Sequence, residues 1–499
     1  MQRVYDPDRY SPLGPSSLQG EEKPYLSPIS TSSSNTPLDF PSLDTPYDPA
    51  DPSEQLTTHP TVVVAINRII AAAGQMAAIV QTPFLTLCDA SMGYHLPSCL
   101  RLLEASHTIE ILREAGPQGL HVDAISEQNG VESVKLAHVL RLLATHHIIR
   151  ECAPNVFAIN RISSTLDSGK SAAQLRQYES DGRPEMKYPD TNGIAAFVGL
   201  CTDELMKSAA YMTDAYLQSR GRSIRTPFEH AFNTNVGYFE CDSEKTVADG
   251  NPNRFRLERF GKAMSGSVSW EVPSAVLKGF DWKSLPRGSV IVDVGGGIGS
   301  TTMLLANAFS RAVSGGDEEG LDLGLEFVVQ DRQVVVEMGK KAWGAKRPEL
   351  LDSGTPIKNA AVFFLRVVLH DWQDSSARMI LLKLREAATE HTKLVLADFV
   401  LPLACADDVG PRTTSDGDAD VLDGVEDAET KLAAAPLLPN LGKASANAYW
   451  MDLTMQATFN AQERTLREMV ALALSAGWKV IKMTRAVGSL FGHIVAVPV

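Results

Sequence analysis

Ser289-Val290-Ile291-Val292-Asp293-Val294-Gly295-Gly296-Gly297-Ile298-Gly299-Ser300 is the stretch whose reading decides the fold. Its β-branched apolar run is a buried strand that ends near Asp293, and four glycines then separate it from a helix-forming segment that starts at about Thr301. Glycines admit backbone conformations closed to other residues, and the first turn of the following helix offers free N–H groups to a ligand. Such turns hold dinucleotides, nucleotides and S-adenosylmethionine alike, so the stretch names a kind of site and leaves the ligand open.

Downstream the pattern alternates. The periodicity predicts a helix over 301–310, a strand over 325–330 ending at Asp331, and a helix over 333–345. A strand over 361–365, a helix over 376–390 and a strand over 393–397 follow. Alternation of this kind builds a mainly parallel sheet with helices on both faces, and ligands then lie at the carboxyl ends of the strands. Asp331, the Arg366–His370 segment and Asp398 all fall at such ends. Segments 471–477, 479–484 and 493–497 predict a last helix and an antiparallel hairpin that closes the sheet.

Upstream, residues 1–57 are rich in Pro, Ser, Thr and Asp and carry too few apolar groups to offset the entropy of ordering, which predicts a disordered tail. Residues 58–113 have helical periodicity. A short helix led by Val122-Asp123, a second over 133–146 and a small hairpin over 148–159 then form a winged-helix pattern. Its second helix offers only Lys135 and Arg141 as cations, which favours dimerisation or a roof over the site above a DNA-binding regulator. Residues 165–190 read as polar loop, and 191–280 as a helical, aromatic-rich linker that lines a substrate site. The expected division is therefore a tail at 1–57, a helical and winged-helix dimerisation domain at 58–190, the linker at 191–280 and a catalytic domain at 281–499. Within the last, residues 404–434 hold nine acidic side chains against Arg412 and Lys431, an excess of seven, which predicts a mobile, solvated insertion.

Composition narrows the function. The 499 residues are 44% hydrophobic and 21% charged, the balance of a soluble globular protein, and the net charge of −14 opposes nucleic-acid binding. Small molecules are the expected ligands. Six scattered cysteines, with no C-x-x-C pair and no histidines at ligand spacing, argue against structural zinc or a disulfide framework and point to the cytoplasm. No signal peptide is visible, and the apolar tract 61–81 is broken by Asn67, Arg68 and Gln75, so it reads as an amphipathic or buried helix and not a membrane span.

Phe363-Phe364-Leu365-Arg366-Val367-Val368-Leu369-His370-Asp371-Trp372 places a histidine just past a buried strand, on the ligand edge of the sheet. With the glycine stretch ahead, Val395-Leu396-Ala397-Asp398-Phe399-Val400-Leu401-Pro402 behind and Asn460-Ala461-Gln462-Glu463-Arg464-Thr465 beyond, the chain over roughly residues 60–499 resembles the plant and fungal S-adenosylmethionine-dependent small-molecule O-methyltransferases. The resemblance implies a Rossmann-like α/β catalytic domain behind a helical and winged-helix dimerisation domain, a homodimer, and methyl transfer to a phenolic hydroxyl of an apolar secondary metabolite without a metal.

It also implies roles for individual residues. His370 is the general base, since an imidazole of reference pKa about 6.5 can take the proton of a phenol of about 10 as the methyl is attacked. Glu463 and Asp398 match the two acids that flank it, although Asp398 stands where plant members carry glutamate. Gly295 and Gly297 would approach the methionine part of S-adenosylmethionine, Asp331 the ribose hydroxyls, and Arg366 takes the place of a cofactor-facing basic residue. The family's acid-aromatic adenine block is missing, and Asp352 in Leu350-Leu351-Asp352-Ser353-Gly354 is the available substitute. Trp372, Met451, Met455 and Phe459 are candidates for the substrate wall. Two rivals stay open: a binding protein with a decayed cofactor site, and a Rossmann-type NAD-dependent oxidoreductase, because NAD sites use an acid at the same strand tip.

Overall fold

The computed structural model describes residues 39–218, 225–238, 255–266, 273–309, 323–346, 359–405, 422–428, 433–485 and 491–499. From Phe40 to Val499 the chain forms one compact unit.

Its centre is a six-stranded sheet made of β4 (Val290–Val294), β5 (Glu326–Gln330), β6 (Val362–Arg366), β7 (Lys393–Phe399), β8 (Trp478–Thr484) and β9 (Phe491–Pro498), in the order β5-β4-β6-β7-β9-β8. The four strands from β5 to β7 in that order are parallel. β9 runs antiparallel to both β7 and β8, as the expected closing hairpin requires. Side chains alternate between faces along a strand, and the sheet uses both faces for core. On one side Phe363, Leu365, Leu394 and Leu396 pack with Leu381, Val470 and Trp478. On the other, Val362, Phe364, Val395 and Ala397 pack with Trp282, Leu305 and Phe309. Truncating a fully buried ring such as Phe364 to alanine would cost about 3–5 kcal/mol.

Helices Ser300–Phe309, Gln333–Lys346 and Asp374–Ala387 link the parallel strands within a few residues of the expected bounds. Within the acidic insertion, expected to be mobile and solvated, residues 422–428 are tied to the sheet by their backbone while the Glu426 and Asp427 side chains stay exposed. There the Glu426 N–H donates to the Ile481 carbonyl and Glu426 accepts from the Met483 N–H, which covers the exposed edge of β8.

In the N-terminal region, β1 (Leu120–His121), β2 (Arg150–Ala153) and β3 (Val156–Ala158) form a small sheet in the order β1-β3-β2, beside helices Val122–Asn129 and Ser133–Thr145. Their apolar faces, with Leu136, Leu140, Leu143 and Phe157, share one core with Ile109 and Leu112. Three expectations for this region need correction. The tail was expected to run unstructured to residue 57, yet Pro52–Leu56 is helical and buried Glu54 pairs with Arg161. The expected loop at 165–190 contains helix Ala172–Ser180, because a Ser171–Gln174 capping box supplies its missing N-terminal hydrogen bonds and Ala172 and Leu175 are buried. Of the two expectations for helix Pro60–Val80, amphipathic or buried, the second fails: Ile69, Met76, Ile79 and Val80 are exposed, and by length and composition alone the helix is apolar enough to cross a membrane.

Candidate active site

Both ends of the predicted site open into one cleft of about 2540 Å³ at the carboxyl ends of β4, β5 and β6. Gly295, Gly297, Asp331, Arg366 and His370 all line it, as do Trp372, Met451, Met455 and Phe459. Part of its wall comes from the N-terminal region, including Met92, Tyr94 and His95.

At one end, β4 stops because the chain turns through positive φ. Gly295 has φ 73, and a Cβ there would lie 2.8 Å from the Val368 side chain. Gly297 has φ 60 with nothing within 4 Å of a Cβ, so its backbone faces open space. The Gly297 N–H donates to Asp331 Oδ2 at 2.9 Å, which ties the turn to the tip of β5, while Asp331 Oδ1 accepts from the Arg332 N–H at 2.7 Å. A carboxylate has about four acceptor directions, so Asp331 keeps capacity for a diol. Below the turn, Asp293 is buried and accepts from Thr302 Oγ1. Burial pushes its carboxyl up to about 6, against the pull of Thr302 and Arg366. The Arg366 guanidinium lies over the Phe491 ring, 4.9 Å from its centre. A glycine cradle open to the cleft, beside an acid at the next strand tip, fits the polar ribose and amino-acid parts of S-adenosylmethionine. Asp352 lies outside the described residues.

At the other end, β6 leads into a single helical turn, Leu369–Asp371. His370 Nδ1 lies 2.6 Å from Glu463 Oε1, and Nε2 lies 3.5 Å from Asp371 Oδ1. Glu463 is itself held by its N–H, which donates to Asp452 Oδ1 at 3.0 Å. Asp398 is fully buried, with the Val368 backbone N–H directed at its carboxylate. Burial first, together with Glu463, raises its pKa to about 6, while His370 and Arg464 lower it. Burial also raises Asp371 to about 6, against the pull of His370. For the histidine the balance tips the other way. Burial works against the charged ring, but Glu463, then Asp371 and Asp398, more than offset it and hold its pKa at about 10.

His370, Glu463 and Asp398 are thus brought together, with only His370 of the three lining the cleft and the two acids behind it. Sequence reasoning gave no role to Asp371 or Asp452. Asp371 was visible inside the quoted motif, whereas nothing in the sequence of helix Ala446–Phe459 marks Asp452 as the partner of Glu463. Val367, with φ 57, was also missed. A β-branched residue in the left-handed region is a genuine outlier, and here it stands three residues before the histidine.

Comparison with known proteins agrees with this architecture. An O-methyltransferase domain family matches residues 210–416. An O-methyltransferase of Armillaria gallica is 35% identical over 90% of this chain and 92% of its own length. Sterigmatocystin 8-O-methyltransferase of Aspergillus flavus is 27% identical over 68% of this chain and 72% of its own. Among solved structures, LepI in complex with SAM superposes with a TM-score of 0.61 at 17% identity, covering 89% of this chain and 97% of that one, which speaks to the fold alone. Sequence likeness of that extent to the Armillaria protein, on a sheet whose strand ends carry the glycine turn and the His370 cluster, shows that this chain belongs to the O-methyltransferase family.

Proposed function

We propose that this chain transfers the methyl group of S-adenosylmethionine to a phenolic hydroxyl of an apolar fungal secondary metabolite, with His370 as general base. The observation that carries the reading is the buried His370–Glu463 pair at 2.6 Å, facing the cleft that also takes in the glycine turn. Family membership displaces the oxidoreductase reading that an acid at the β5 tip leaves open.

Gly295 and Gly297 would pass close to the methionine part of the cofactor, Asp331 would accept from the ribose and Arg366 would face it from β6. When bound, S-adenosylmethionine supplies an electrophilic methyl on a sulfonium. His370 accepts the acceptor's proton at Nε2, since Nδ1 is committed to Glu463. With its pKa held at about 10, His370 carries a proton at neutral pH in the free site, so the reacting form is the deprotonated minority, whose proton affinity is close to that of a phenolate. Glu463 fixes the tautomer and stabilises the imidazolium that forms, and Asp398 adds negative charge behind it. Trp372, Met451, Met455 and Phe459 supply apolar surface for a flat acceptor. No metal is needed for this chemistry.

The reading extends to assembly and location. Exposed Ile69, Met76, Ile79, Phe84 and Leu87 on consecutive helices suit a second copy of the chain, giving a homodimer. The five described cysteines are all free thiols, in keeping with a reducing cytoplasm. The test is methyl transfer from labelled S-adenosylmethionine to a panel of phenols, with the product identified by mass. Binding of the cofactor without transfer to any member would favour the decayed-site reading, and a monomer on sedimentation would end the dimer.

A further inference from the structure

We propose that Arg464 is a positioning residue for catalysis: it grips the backbone on both sides of His370 while its neighbour Glu463 grips the imidazole ring. The inference rests on His370 acting in methyl transfer as set out above.

The Arg464 guanidinium is 1% exposed. Its Nη1 donates to the Leu369 carbonyl at 3.0 Å and its Nη2 to the Trp372 carbonyl at 2.8 Å. Those two carbonyls bracket His370 and Asp371. Nε and Nη2 also donate to Asp374 Oδ1, at 2.9 and 2.8 Å. The carboxylate of Asp374, first residue of helix Asp374–Ala387, thereby shares with buried Asp398 the neutralisation of a charge that lies among carbonyls. The clamp is anchored on the sheet as well, because the Arg464 carbonyl accepts from the Leu401 N–H at 3.0 Å just past β7.

The turn needs such a clamp. Val367 enters it at φ 57, and a strained backbone persists only where its surroundings over-determine it. Glu463 fixes one ring nitrogen and the Val367 N–H, bonded to the Ala397 carbonyl, fixes the entry to the turn, which leaves the Leu369 and Trp372 carbonyls on either side of the histidine still to be held. Arg464 holds both, and with them the peptide units before and after the histidine. Only a planar fork spans two carbonyls and a carboxylate at once; a lysine ammonium keeps the charge and cannot hold the same three points.

Kinetics of Arg464→Lys in two backgrounds test the idea. In the otherwise native chain, kcat should fall by roughly 10–100-fold, the scale of a misplacement near 1 Å, while S-adenosylhomocysteine affinity and acceptor KM stay within about twofold. In a His370→Ala background the same change should add nothing, since a residue that acts through the imidazole has no further effect once the imidazole is gone. An equal loss in both backgrounds would show a merely structural role and overturn the proposal. Asp374→Ala, at a side chain that is 66% exposed, loosens the guanidinium without opening the core and keeps the test alive if Arg464→Lys does not fold. It should lower kcat by about threefold to tenfold, short of full loss of the clamp. Native turnover in Asp374→Ala would count against the clamp. NMR of ¹⁵N-histidine protein needs no acceptor and separates the two claims. Loosening the clamp should shift or broaden the His370 Nδ1–H resonance, and an unchanged resonance overturns the clamp even if the native chain methylates nothing on the panel.

Discussion

At the glycine end of the cleft the parts lie close along the chain, since Gly297 and Asp331 are 34 positions apart and joined by a backbone N–H. At the histidine end they are distant: His370 and Glu463 are 93 positions apart and meet through buried side chains. The first end depends on backbone direction, which glycines permit and few side chains disturb. The second depends on balancing charges taken out of water, where each group sets the ionisation of the others. Damage at the first end should therefore appear as lost binding, and damage at the second as lost turnover and an altered pH profile.

The largest expected effect breaks the comparison if it fails. His370→Ala should lower turnover on a confirmed phenol by about 10² to 10⁴ at neutral pH and leave cofactor affinity nearly unchanged, as read by turnover assays and titration calorimetry. The same substitution carries a stability signature. The folded His370 pKa of about 10 lies above the unfolded value of about 6.5, so its contribution is complete below 6.5 and is lost as pH rises through 10. Between pH 7 and 10 the native Tm should accordingly fall more than that of the alanine variant.

Asp331→Ala should show the opposite pattern. It removes the acceptor that holds Gly297 and faces the expected ribose, and should weaken cofactor binding by about 1.5–3 kcal/mol in a titration. If saturating cofactor fails to restore most of kcat, the glycine end has a share in the chemical step and the contrast between the two ends is wrong.

A smaller effect sharpens the histidine end. Glu463→Gln keeps the shape and forfeits the charge, so turnover should drop by roughly tenfold, less than for His370→Ala. In the native chain kcat/KM should rise from pH 7 towards 10, as His370 loses its proton. Without the Glu463 charge the His370 pKa falls, so the inflection should move to lower pH with a lower plateau. An inflection that stays in place would detach Glu463 from the imidazole.

The smallest expected change concerns strain. Val367→Gly relieves a left-handed conformation that costs on the order of 1–3 kcal/mol, partly offset by the greater freedom of glycine in the unfolded chain. A Tm equal to or slightly above the native one, with reduced kcat, would show that strain at the turn serves positioning. A large loss of stability would show instead that packing of the Val367 side chain outweighs the strain.

Much of this was legible from residue order. The strands that carry Ile291–Asp293, Phe363–Leu365 and Leu394–Ala397 announce themselves as continuous apolar runs, because a parallel sheet buries both faces. The glycine turn is equally local, since left-handed backbone at positions 295 and 297 favours glycine over residues with a Cβ. Helix Pro60–Val80 was not legible in the same way. Its composition matches that of a core helix, and only the packing shows that no described part of the chain covers most of it. Helix Ala172–Ser180 was hidden by its polar residues, which its capping box and two buried side chains outweigh.

For the site, the sequence by itself determined which residue types stand at the strand ends: glycines after β4, an acid after β5, and His370 just past β6. Only the tertiary structure decided what those residues do to one another. It set Glu463 on Nδ1, Asp371 near Nε2, Asp398 fully out of water and Arg464 across the turn. The physical reason is that hydrogen-bonding propensity and backbone freedom belong to a residue and its neighbours, and so can be read along the chain. A pKa, and a bond between residues 93 positions apart, depend on which charges the fold removes from water together.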